Sequence, residues 1–273
     1  MYSIFHFWKS LVDTKSKFNK VDFLDKFPFQ KDMFSCENKG LFPDFAIKLN
    51  KDNSIFSGGE LLELKDSKAY NVSSFNSTIP TGNKNIKDIA PSENNTIFKQ
   101  MKNAGDDVYS LEVRDVYYLV RGKRSKNQKI CLVYGSFFET IPAKQLIGEA
   151  FSKVLDEAGG TEIDENTKDK LKEIFSRQDS FSSVRNIDKA SVNIRFRVMT
   201  EVKPEGNILN SNQYPEILDD TLNLLCPFYS EDEKQSLISK MELAFGKEQM
   251  REIKIFPIKH PLNGWFLVFQ TNL

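Results

Sequence analysis

The chain has 273 residues with 38 basic and 38 acidic side chains, so no global charge advertises a polyanionic partner. A composition that is 40% hydrophobic and 28% charged suits a globular protein with an ample core. Two distant histidines, His6 and His260, leave little room for a histidine triad or a histidine-rich zinc site. Scattered Cys36, Cys131 and Cys226, with no CxxC pair, argue against a disulfide framework and for a reducing cytoplasm. No run approaches the roughly eighteen apolar residues of a membrane span.

In chain order, Met1–Trp8 reads as the start of an amphipathic helix, and the first forty residues as helical, then irregular. Apolar alternation over 45–49 predicts a strand, and Asn50–Ser54 a turn. The segment 60–65 after Gly58-Gly59 is a second strand, so the two form a hairpin. Residues 67–91, rich in Ser, Asn, Thr, Gly and Pro, read as a long polar loop of the kind that carries function. A short helix over 96–104 leads to strands over 116–120 and 130–134, joined by a basic turn over 121–129. Helices are expected over 143–157, where Gly159-Gly160 ends the pattern, and over 165–175. A strand over 192–198, an acidic helical region to about residue 250, and a terminal hairpin of strands 253–258 and 265–270 complete the reading. No disordered linker divides the chain, so it is expected to be one compact α/β unit.

The chemistry concentrates in Pro43-Asp44 and, across the first hairpin, Glu63-Leu64-Lys65. Strand alternation projects Glu63 and Lys65 from one face and sends Leu62 and Leu64 to the core. Asp44, at the start of the partner strand, then lies beside Glu63. Carboxylate oxygens suit Mg²⁺, which keeps water and substrate phosphate oxygens as its other ligands. For phosphodiester hydrolysis such an ion neutralises the scissile phosphate, acidifies a bound water and helps the leaving oxygen depart. Lys65 can orient that water or stabilise charge on phosphorus. The alternative is a hairpin whose outer face carries a solvated Glu63–Lys65 ion pair of small value. Glu60 and Asp66 fall on the opposite strand face.

Pro-Asp, a hairpin and Glu-x-Lys resemble the signature of the PD-(D/E)xK nucleases, of which type II restriction endonucleases are a large branch. The resemblance covers about residues 34–90. It implies an α/β restriction endonuclease-like core, a central mixed sheet flanked by helices, with additional C-terminal strands. It further implies a single domain over 1–273, with a catalytic core at about 34–160 and recognition or dimerisation elements at about 161–273. Asp44, Glu63 and Lys65 match the catalytic positions, and Asp44, Glu63 and Leu64 the metal-binding ones. Glu37 is the nearest candidate for the further glutamate that such enzymes often carry on a preceding helix.

DNA contacts are expected at Ser74, Asn76 and Ser77 in the polar segment, whose hydroxyl and amide groups suit phosphate. A second set is the basic ribbon, where Arg114, Arg121, Lys123, Arg124, Lys126 and Lys129 oppose only Asp115. Its Asn127 and Gln128 have side chains able to read adenine. Arg195 and Arg197, joined by Arg177 and Arg185, form another patch, and the acidic stretch from Glu216 to Glu233 is expected to face away from DNA. The plain alternative for each is a solvated surface. The function expected is therefore a cytoplasmic, Mg²⁺-dependent homodimer cutting a specific site in double-stranded DNA, without organic cofactor or membrane contact. A repair or recombination nuclease of the same superfamily, or a non-catalytic DNA-binding protein, are the alternatives.

Overall fold

A computed structural model of the chain describes residues 33–37, 42–52, 57–76, 79–139, 141, 143–159, 163–176 and 199–273. The expected N-terminal helix and the strand over 192–198, with Arg177, Arg185, Arg195 and Arg197, lie outside these residues.

The strands are β1 (Phe34–Glu37), β2 (Phe45–Ile47), β3 (Leu61–Ser67), β4 (Ser74–Asn76), β5 (Asn83–Asn85), β6 (Val113–Arg124), β7 (Asn127–Tyr134), β8 (Met199–Glu201), β9 (Thr221–Phe228), β10 (Lys254–His260) and β11 (Gly264–Asn272). The helices are α1 (Ile86–Ile89), α2 (Thr96–Asn103), α3 (Ala143–Gly159), α4 (Glu165–Ser176) and α5 (Glu231–Met250). Among the described residues, one mixed sheet runs β1-β2-β3-β6-β7-β9-β11-β10, with β5 added to β6, while β4 and β8 pair separately. The β3–β6 and β7–β9 pairs are parallel. Parallel neighbours need a crossover connection. The β3-to-β6 crossover carries β4, β5, α1 and α2.

The sheet buries both faces. Leu61, Val116, Tyr118, Val120, Cys131 and Val133 join one core with Ile97, Phe98 and Met101 of α2. Leu62, Ile130, Leu132, Leu224 and Leu267 join the other with Met241 and Phe245 of α5. This is an α/β fold with helices on both sides of a large mixed sheet. No helix among the described residues is long and apolar enough to cross a membrane.

Three expectations need correction. Residues 34–37 are a strand pairing with β2, not irregular chain. The apolar run 221–228, read as part of an acidic helical region, is interior strand β9, held between β7 and β11. With both faces buried it shows no alternation, and a short apolar run cannot be assigned by period alone. The segment over 67–91, read as one long polar loop, carries β4, β5 and α1 and packs inward, burying Val72, Phe75 and Ile79. It lies so close to Gly135, just after β7, that a Cβ there would stand 1.9 Å from the Thr81 carbonyl oxygen.

The terminal hairpin is held by a buried histidine. His260 Nδ1 accepts the N–H groups of Leu262 at 3.1 Å and Asn263 at 3.0 Å. Asn263 in turn donates to the carbonyls of Ser136 and Phe137. An accepting Nδ1 requires the neutral ring, and burial holds the His260 pKa below its ordinary 6.5. With the folded pKa depressed, this stability is present above the ordinary value and is lost as pH falls through the folded one. His260→Leu strands the two donors and is expected to cost about 1–3 kcal/mol near neutrality. Urea unfolding should show the gap from the native chain narrowing as pH falls below 6.5 and the native ring charges. A constant gap across that range would contradict the assignment.

Candidate active site

β2 pairs antiparallel with β3, Phe45 opposite Leu62 and Ala46 opposite Leu61. One further step of that register puts Asp44 opposite Glu63, and directly opposed residues share a face. Lys65 follows on the same face by strand alternation. Asp44 Oδ2 accepts the Leu64 N–H at 2.8 Å, and Lys65 Nζ donates to Glu63 Oε1 at 2.9 Å. The three residues that the motif singles out therefore converge.

Their setting is dry. The Lys65 and Glu63 side chains are only 19% and 10% exposed. Burial pushes the Glu63 carboxyl pKa up; the Lys65 ammonium opposes this, and the Asp44 carboxylate reinforces it. Glu63 Oε2 is buried with no hydrogen-bond partner among the described residues. An orphaned carboxylate oxygen in a dry site is costly unless something positive meets it. The Leu64 N–H points to Asp44, and a strand residue turns its N–H and C=O to the same edge. Two carboxylates, one with a spare oxygen, and a carbonyl on the same edge form an oxygen set that fits Mg²⁺. No group of three or more His, Cys, Asp or Glu gathers among the described residues.

Leu64 and Glu37 depart from expectation. The Leu64 side chain is 40% exposed rather than in the core, because β2 does not reach its level. Glu37 belongs to β1 and stands opposite Phe45. Phe45 packs on the α5 face of the sheet. Glu37 thus lies on the face opposite Asp44 and Glu63, and cannot join them.

The motif did not reveal the aromatic roof. Lys65 Nζ lies 5.2 Å from the centre of the Phe75 ring. Phe75 meets Tyr118 and Phe138 edge-on, at 5.2 and 5.0 Å. Tyr118 stands beside Glu63 in the parallel register, its hydroxyl accepting the Thr81 N–H at 3.3 Å. Burial pushes the Tyr118 phenol pKa up. Both residues left a sequence signal: Tyr118 has the parity of Val116 and Val120, and Phe75 is the aromatic within a polar run.

The expected DNA contacts fare unevenly. Ser74 is half-buried in β4. Alternation turns it to the side away from Phe75 and Lys65. Asn76 lies on β4 opposite Met199, and Ser77 is outside the described residues. The basic turn is mostly strand: β6 and β7 stay paired out to Arg124 and Asn127, leaving a two-residue turn with Ser125 at φ 57°. Arg114 is buried in a bidentate pair with Asp106. Arg121 is bidentate to Asp66. Lys129 is buried, bonded to Ser211 and stacked over Tyr70.

Lys123, Arg124 and Lys126 are exposed at the tip. Asp219 and Asp220, from the acidic stretch, lie beside this ribbon. Asp219 accepts from the Asn127 amide, and Asp220 from the Gln128 N–H. Adjacency of β7 and β9 brings them there, which residue numbers alone conceal.

Comparison with family models, with curated proteins and with solved structures gives no match to this chain.

Proposed function

We propose that the chain is a Mg²⁺-dependent nuclease of the PD-(D/E)xK kind, acting as a type II restriction endonuclease on double-stranded DNA. The observation that carries this reading is the convergence of Asp44, Glu63 and Lys65 on one face, with Glu63 Oε2 buried and without a hydrogen-bond partner among the described residues. The position of the acid–x–lysine on β3, paired on both sides within a mixed sheet, supports it. Asp44, Glu63 and the Leu64 carbonyl would hold the ion, which when bound supplies charge neutralisation at the scissile phosphate. Lys65, fixed by Glu63 Oε1 and the Phe75 ring, presents N–H donors toward developing phosphate charge. Buried cysteines at Cys36, Cys131 and Cys226, with no disulfide among the described residues, fit a cytoplasmic setting. A two-fold dimer is the simplest reader of a palindromic site.

Asp219 and Asp220 beside the ribbon favour, as a second reading, a repair or recombination nuclease that does not need a base-reading ribbon. Incubating plasmid with the protein and Mg²⁺, with an EDTA control, separates the readings. Discrete metal-dependent fragments support the restriction enzyme, and nicking or structure-selective cutting supports the second reading. A gel shift without cutting removes the enzyme altogether. Neutralising Lys123 and Arg124 together should weaken DNA binding and lower the slope of log K against log salt by about two. An unchanged slope would exclude the tip as a phosphate contact.

A further inference from the structure

We infer that Asn207, distant in sequence from the motif, is a positioning residue for Lys65 and acts through Phe75. The inference rests on reading Lys65 as the site's lysine. Asn207 is buried, and its side chain is saturated. Oδ1 accepts the N–H groups of Val72 at 3.2 Å and Leu209 at 3.3 Å. Nδ2 donates to the Tyr70 carbonyl and to Asn71 Oδ1, both at 3.2 Å. A single amide thus ties the chain just beyond β3 to the C-terminal part of the molecule.

The tie continues along the segment. Val202 N–H donates to the Ser73 carbonyl, and β4 pairs with β8 through Phe75 and Thr200. Phe75 is then delivered against Lys65 Nζ, with Tyr118 and Phe138 closing the ring in. Lys65 ends a flexible four-carbon stem whose head needs restraint to serve at one place. Glu63 Oε1 supplies one restraint and the Phe75 ring the other. Were Glu63 also to hold a cation, the Phe75 ring would remain as the restraint on Lys65. Asn207 sets where that ring stands.

The test reads Lys65 directly, without cleavage. Reductive methylation of the full chain, followed by peptide mass spectrometry, gives the reactivity of Lys65 against exposed Lys123 as internal standard. Hydrogen exchange at Val72 reports the clamp. Asn207→Ala should speed both Val72 exchange and Lys65 methylation severalfold, with Lys123 unchanged. Phe75→Leu should speed Lys65 methylation while Val72 exchange stays slow, which orders the two residues. Asn207→Asp keeps the Oδ1 acceptor and loses the Nδ2 donors, so it should speed both rates over native by less than a full truncation, and it carries the test where the Ala variant fails to fold. Faster Val72 exchange with unaltered Lys65 reactivity in the Asn207 variants would overturn the inference. Where the native chain cuts DNA, Asn207→Ala should lower kcat, by up to about 100-fold, with KM little changed. If native protein does not cut, the nuclease reading fails, while the methylation result still decides the role of Asn207.

Discussion

Asp44→Asn is expected to abolish metal-dependent DNA cleavage while leaving the fold and DNA binding intact. The asparagine keeps a side-chain oxygen that can accept the Leu64 N–H, the bond that Asp44 Oδ2 makes at 2.8 Å. The hairpin therefore has no reason to open. What disappears is one of two carboxylates, and with it half of the carboxylate charge that would hold a divalent ion at the Glu63 face. Losing electrostatic stabilisation of this kind typically slows a reaction by about 10²–10³-fold, and losing the ion itself removes more. The measurement is a plasmid digestion series with Mg²⁺, paired with a thermal melt. Undiminished cutting by the Asn variant would sink the site assignment. A collapsed melting temperature would instead mean that the charge of Asp44 is structural.

Lys65→Ala is expected to act twice, on cleavage and on stability. Glu63 and Lys65 form a largely buried pair at 2.9 Å. Deleting one partner of such a pair leaves an uncompensated buried charge, at a cost of about 3–5 kcal/mol. The pH dependence follows from Glu63. Its folded pKa is already raised by burial, so the folded state binds its proton more readily than the unfolded state. The associated stability is fully present below the ordinary carboxyl range and declines as pH rises through the folded pKa. Without the opposing ammonium that pKa rises further, so the Lys65→Ala penalty should be large near pH 8 and shrink toward about pH 5. Adding Glu63→Gln should restore most of the stability at high pH and none of the cleavage. Urea unfolding of both variants at the two pH values checks this. A Lys65→Ala penalty that Glu63→Gln does not relieve would show that Lys65 acts through packing alone.

Much of the molecule was legible before the fold was seen, wherever signal was local. Alternation over 60–65 marked β3 and put Glu63 and Lys65 on one face, and spacing alone set Asp44 across the hairpin from them. Helices α2, α3 and α4 and the terminal hairpin follow their periodicity and glycine stops closely. Strand β9 was not legible, because an interior strand buried on both faces loses its period. Glu37 was misplaced for a related reason: which face a residue takes depends on register with a neighbour, and the β1–β2 register turns it away.

The basic ribbon shows the same division. Composition counted six cations there, yet Arg114 and Lys129 are buried in pairs and Arg121 is held by Asp66. Two of the acids expected to face elsewhere lie against it. Charge is additive along a chain, but potential depends on what lies beside it in space.

The sequence by itself determined which charged groups meet on the hairpin: two carboxylates and one ammonium, from Asp44, Glu63 and Lys65. Alternation is a covalent consequence of extended backbone, so it survives without tertiary context. Only the tertiary structure decided how those groups are held. Parallel pairing with β6 sets Tyr118 beside Glu63, and Asn207, more than 130 residues further along the chain, anchors the segment that carries Phe75 to Lys65. Such contacts join residues that no local period connects, and they form only when burial brings distant segments to the same face of the sheet.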